Sequence, residues 1–92
     1  MNIEIKNNTE EDKFTSTIDG YEAYLEYSQS GDRISFEKVF TPVELRGKGI
    51  AAKLVEYAFK YAKKNDLKVY PHCSYIISYL SRTDKYKDLL AW

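Results

Sequence analysis

Gly47 and Gly49 flank Lys48, directly after Arg46 and directly before an apolar-periodic stretch that begins at Ile50 and Ala51. Glycine has no Cβ, so backbone and ligand can approach closely at such positions. The first amides of a helix have no partners within it and face outward, where the helix dipole places about half a positive charge. A loop of this kind suits a phosphate or pyrophosphate, and Arg46 and Lys48 would add charge. The plain alternative is a tight turn that merely reverses the chain. A second group lies further on: His72, Cys73, Tyr75 and Tyr79. A lone cysteine is either a nucleophile or a small buried hydrophobe. Adjacent strand residues point to opposite faces, so His72 need not touch Cys73. Glu37 and Glu44 are available as bases, and nothing in the sequence singles either out. No metal site is read from it.

Gly47-Lys48-Gly49-Ile50-Ala51-Ala52 also fits the dinucleotide pattern G-x-G-x-x-[GA], which needs an acidic residue about twenty positions on for the ribose. Residues 68–71 fall there and carry no carboxylate. The chain is also short for that two-halved fold, so this reading is set aside.

The elements that must position these residues are legible in outline. Residues 2–6 read as a short strand with Ile3 and Ile5 on one face, and residues 7–12 as a turn. Residues 13–19 form a strand closed by a tight turn at Asp19 and Gly20. From Tyr21 the alternation is clear, with Tyr21, Ala23, Leu25 and Tyr27 facing one way and Glu22, Tyr24, Glu26 and Ser28 the other. A hairpin turn over residues 29–32 returns the chain through residues 33–41, with a change of face at Lys38 or Val39. Residues 47–65 predict a helix with Ile50, Leu54, Tyr57, Ala58 and Tyr61 on one stripe and Ala51, Val55 and Ala62 beside it. Residues 67–70 predict a strand reached by a right-handed parallel crossover. Residues 74–81 predict a second helix, and residues 84–92 a further short one.

In such a sheet, ligands bind outside the carboxyl ends of the parallel strands. Thr41 and Pro42 end one strand; Pro71, His72 and Cys73 end the other. Pro71 cannot donate to a ladder, so pairing is expected to fail there and to leave a gap.

Composition narrows the function classes. Fourteen basic and fourteen acidic residues cancel, which argues against general nucleic-acid or anionic-membrane binding. The balance hides an asymmetry: residues 1–37 hold nine acids and three bases, residues 38–92 eleven bases and five acids. A basic half around the glycine loop suits an anionic cofactor, and the acidic half could attract a cationic amine. One cysteine gives no internal disulfide, and no apolar run approaches the roughly 18 residues of a membrane span. The expectation is one domain over residues 1–92, cytoplasmic, monomeric or weakly dimeric.

Arg46-x-x-Gly49-x-Ala51 after a strand resembles the R/Q-x-x-G-x-G/A signature of the GCN5-related N-acetyltransferases. The segment Val69, Tyr70, Pro71, His72, Cys73, Ser74 and Tyr75, followed by Tyr79, is similar to that of a very small subgroup of about ninety residues carrying a cysteine after the strand. The resemblance covers residues 13–90. It implies a minimal α+β domain, an antiparallel meander followed by a βαβ crossover in one mixed sheet with a short final helix, without the superfamily's last two strands. It further implies acetyl-CoA or coenzyme A as cofactor, held by Phe40, Thr41, Arg46, Gly47, Lys48, Gly49, Ile50 and Ala51. The pyrophosphate would sit on the loop, the pantetheine arm in the gap, and the acyl carbonyl on the amide of Phe40 or Thr41. Cys73, Tyr79 and His72 are the implied catalytic residues, Tyr79 as proton donor with Tyr75 second, and Cys73 near the thioester or as acyl carrier. The acceptor, an amine or a thiol, is not implied. A coenzyme A-binding protein without transferase activity is the alternative, and a bare interaction module the third.

Overall fold

The computed structural model describes residues 3–91. Five strands form one sheet in the order β1-β2-β3-β4-β5: β1 (Lys6–Asn8), β2 (Lys13–Ile18), β3 (Tyr21–Ser30), β4 (Arg33–Phe40) and β5 (Lys68–Pro71). The first four pair antiparallel. β5 lies parallel to β4, and the crossover between them carries a 3₁₀ turn (Val43–Leu45) and helix α1 (Ile50–Lys64). Helix α2 (Ser74–Leu80) follows, then a second 3₁₀ turn (Lys87–Leu89). The expected meander, crossover and mixed sheet are all present.

One face of the sheet makes the core. Phe14, Ala23, Leu25, Tyr27, Ile34, Phe36 and Val69 are buried there beneath Leu54, Val55, Ala58, Phe59 and Ala62 of α1, and Ile76 of α2 and Tyr86 join the same cluster. Phe14 contacts the rings of Tyr27, Tyr57 and Tyr61 at centroid distances of 4.7, 5.5 and 5.3 Å. Such pairs each add about 0.5–1.5 kcal/mol beyond area burial, and they fasten α1 to the meander. The opposite face, carrying Glu22, Ser28, Ser30, Arg33 and Lys68, is exposed.

A register shift in β4 decides what reaches the site. Tyr27 pairs with Phe36 and Glu26 with Lys38, so Glu37 is an extra residue with no partner in β3. An inserted residue of this kind turns the following side chains over. Val39, opposite Leu25, therefore faces the core side, and Phe40, opposite Tyr24, faces solvent. This is the change of face expected at Lys38 or Val39.

Several boundaries differ from expectation. The first strand is Lys6–Asn8 rather than residues 2–6; Asn2 lies outside the described residues, and Ile3 and Ile5 pack against the core without strand pairing. The short turn to Lys13 sets the register, and Asn8 holds it by accepting from the Glu11 amide at 3.2 Å. Tyr21 is exposed beside its turn instead of sharing the buried face. α1 starts at Ile50, not Gly47, because Gly47 and Gly49 take φ of 80° and 73°. Its buried stripe runs through Phe59 rather than Tyr57, which is exposed. Pairing does not fail at Pro71: it aligns with Phe36, and the amide of His72 donates to the Phe36 carbonyl at 2.9 Å. Proline still accepts within a ladder, so the strands separate only beyond His72. Only residues 87–89 of the expected last helix are helical, and Trp92 lies outside the described residues.

Candidate functional site

The loop from Thr41 to α1 is shaped by three local facts. Pro42 stops the strand and leads into the 3₁₀ turn, whose Leu45 is buried and pins the loop to the core. Arg46 Nε donates to the Thr41 carbonyl at 3.2 Å and closes the loop on itself. Gly47 and Gly49 then take left-handed φ, and a Cβ added at either would meet nothing within 4 Å. The glycines thus serve the backbone conformation and leave open space beside it.

That space is a groove of about 390 Å³ lined by Val39, Phe40, Thr41, Arg46, Gly47, Gly49, Ile50, Ala51 and Tyr75, with Leu45 at its base. Gly49 caps α1 and has no side chain to turn on the first amides. The first bond within the helix runs from the Lys53 amide to the Gly49 carbonyl at 3.2 Å, which leaves the amides of Ile50, Ala51 and Ala52 directed away from the helix. Thr41 Oγ1 is buried in the wall without a hydrogen-bond partner among the described residues. A buried hydroxyl left this way costs about 1–3 kcal/mol, which a polar ligand group would recover. An anionic, hydrogen-bonding cofactor fits these residues.

Seven of the eight residues expected to hold a cofactor line this one groove; Lys48 lies in the same loop, exposed. Val39, Leu45 and Tyr75 complete it. Val39 follows from the bulge, which the change of face signalled. Leu45 has a weaker signal, an apolar residue three positions after a strand-ending proline.

The candidate catalytic residues are not gathered there. Cys73 is half-buried at the N-cap of α2, at the core's edge. Tyr79 lines a neighbouring groove of about 340 Å³ with Ala52, Lys53, Glu56, Tyr57 and Lys60. Burial, and after it the Glu56 carboxylate, raise the Tyr79 pKa above its ordinary value near 10. Its hydroxyl, like that of an unperturbed tyrosine, carries its proton at neutral pH. Glu56 is held below the usual carboxylate range by its hydrogen bond to Lys60, at 3.1 Å. His72 opens on the other face of the sheet. Glu37 and Glu44 are exposed.

Comparison with known proteins agrees with this architecture. The family described as GCN5-related N-acetyl-transferase matches residues 13–89. The solution structure of a GCN5-like candidate N-acetyltransferase from Staphylococcus aureus is similar, at TM-score 0.75 and 29% identity, over 97% of this chain and 88% of that one. A comparison with curated proteins finds no match. The family match and the shared fold each span most of the sequence, and the chain belongs to the GCN5-related N-acetyltransferase family.

Proposed function

We propose that this chain binds acetyl-CoA in the groove at residues 39–51 and transfers its acetyl group to an amine or thiol acceptor. The observation that carries the reading is the open N-terminus of α1 beside two left-handed glycines and the unpartnered Thr41 hydroxyl. The Ile50 and Ala51 amides and Arg46 would hold the pyrophosphate, with Lys48 adding charge from the rim. Phe40 or Thr41, at the end of β4, would hold the acyl carbonyl by a backbone amide. Bound acetyl-CoA supplies an activated thioester: the C–S bond breaks as the acceptor bonds to the carbonyl carbon, and the released thiolate takes up a proton.

Two of this chain's tyrosines can give that proton. The resemblance to the family points to Tyr79 first, and its pKa is raised above the ordinary value; Tyr75 lines the cofactor groove itself. Cys73 offers a two-step route in which its sulfur first takes the acetyl group and then passes it on. Binding without efficient transfer is the second reading, favoured by the placement of Tyr79 and His72 in grooves other than the one holding Thr41 and Ala51.

Intact-mass measurement after incubation with acetyl-CoA, with parallel turnover assays of Cys73→Ala, Tyr79→Phe and Tyr75→Phe, separates these. An acetyl adduct that Cys73→Ala removes, together with lost turnover and retained binding, establishes the covalent route. Turnover lost in one tyrosine variant alone identifies the proton donor of direct transfer. Binding with no turnover in the parent chain leaves a coenzyme A-binding protein.

A further inference from the structure

The solvent-facing side of the sheet carries its own groove, of about 300 Å³, lined by Ser28, Ser30, Arg33, Ser35, Tyr70 and His72. Cross-strand register builds it: Ser28 stands opposite Ser35 and Ser35 opposite Tyr70, while Ser30 stands opposite Arg33 and Arg33 opposite Lys68. Every lining side chain is polar, and none is a carboxylate. Serine hydroxyls both donate and accept and rotate to suit a partner, so three of them with a phenol match a ligand rich in hydroxyls. The one permanent charge is the Arg33 guanidinium, whose planar fork suits phosphate or carboxylate, and Lys68 stands in the same row. Asp32 Oδ1 lies 4.0 Å from Arg33 Nε, but both side chains are largely exposed, and such a pair holds the guanidinium weakly.

The groove ends where it could meet the cofactor. His72 follows the last aligned pair of β4 and β5, Phe36 with Pro71, and its amide makes the bond to Phe36 after which the strands diverge. Val39, three residues beyond Phe36 in β4, lines the cofactor groove on the core side of the sheet. Val39 lies on the core face and Phe40 on the face of Ser28 and Ser35, so the cofactor groove spans the end of β4, and His72 marks where β4 and β5 stop pairing. From Arg33, aligned with Lys68, to His72 is four residues of β5, roughly 13 Å of strand. That length suits a sugar-sized molecule.

We propose that this groove is the acceptor pocket and takes a small hydroxylated amine bearing an anionic group, its anion at Arg33, its hydroxyls along the serines and Tyr70, its amine toward His72. The inference rests on the acetyl-transfer reading above. In the reaction the amine nitrogen bonds to the acetyl carbon, the C–S bond breaks, and the amine's proton ends on the coenzyme A thiolate. The serine-rich lining without a carboxylate disfavours a polycationic acceptor, although the acidic N-terminal half of the sequence favours one.

Glucosamine 6-phosphate, inorganic phosphate and spermidine serve as probes in amide-shift titrations of isotope-labelled protein. Glucosamine 6-phosphate is expected to shift the amides of residues 28–35 and 70–72, phosphate to shift mainly Arg33, and spermidine to shift neither. Arg33→Met should weaken the sugar phosphate roughly tenfold, the loss of a charge-assisted contact, with Arg33→Lys between. With acetyl-CoA present, Ser35→Ala should raise KM more than it lowers kcat. Absence of shifts up to about 10 mM sugar phosphate, a scale at which even fragment-weak binding registers, overturns the proposal, as do equal shifts with spermidine. Acetyl-CoA shifts at residues 46–51 report the cofactor reading separately. If those are absent while the sugar phosphate binds, acetyl transfer fails and the acceptor role with it. If both bind and no acetylated amine forms, the acceptor role alone fails.

Discussion

Helix α1 ends in two different ways. At its C-terminus the chain satisfies its own backbone: Asn65 Nδ2 donates to the Tyr61 carbonyl at 2.8 Å, the Leu67 amide to the Ala62 carbonyl at 2.9 Å, and Lys63 and Lys64 complement the dipole. At its N-terminus Gly49 caps without a side chain, and an unpaired threonine hydroxyl stands nearby in the groove wall. The left-handed φ of 73° at Gly49 is not the extended conformation in which a serine or aspartate at the N-cap bonds the first amides. An end closed by its own side chains serves the fold, and one left open is what the proposed acetyl-CoA site would use.

Bulk placed at the open end should do the most damage. Gly49→Val places a branched side chain at φ 73° and into the groove; stability should fall by about 1–3 kcal/mol from backbone strain and acetyl-CoA affinity by about a hundredfold. Chemical denaturation and calorimetric titration measure the two losses. Thr41→Val is subtler and sharper. Removing an unsatisfied buried hydroxyl should leave the free protein as stable or more so, while binding weakens by roughly fivefold to tenfold because a ligand partner is gone. Equal losses in stability and binding would mean the hydroxyl serves the fold.

The closed end should respond in reverse. Asn65→Ala removes the side-chain bond to the Tyr61 carbonyl, leaving the 3.1 Å bond from the residue 65 amide, and should cost about 0.5–1.5 kcal/mol of stability with no change in acetyl-CoA affinity. The smallest effect is a pH response. Tyr27, raised by burial and then by Tyr61 and Asp12 against the opposing bond to Asn7, and Tyr79, raised by burial and then by Glu56, both sit above their ordinary value near 10. Groups raised in the fold contribute stability that is intact below the unfolded pKa and is lost as pH climbs through the folded one. Thermal midpoints should therefore decline above about pH 10, and Tyr27→Phe should flatten the decline.

The sequence carries much of this because its periodicities are strong. β3 alternates in burial from Ala23 to Tyr27, and Arg46, Gly47, Gly49 and Ala51 stand together in the chain, so the meander and the loop lining the groove are both legible in it. What escaped depends on contacts distant in sequence. The β1 register is set by a turn and not by Ile3 and Ile5, and Phe59 displaces Tyr57 from the core because it stands at 5.2 Å from Phe36 and stacks on Tyr86 at 4.9 Å. His72, Cys73 and Tyr79 lie close in sequence, but a strand end followed by a helix turns them toward different surfaces.

The most direct test of an open and a closed helix end is an amide-shift titration of the labelled protein with acetyl-CoA. Shifts are expected at Thr41, at residues 46–51 and at the residues facing the β4–β5 gap, with Tyr61, Asn65 and Leu67 at the other end of the same helix unmoved. Shifts at the closed end, or none anywhere at millimolar ligand, would contradict it.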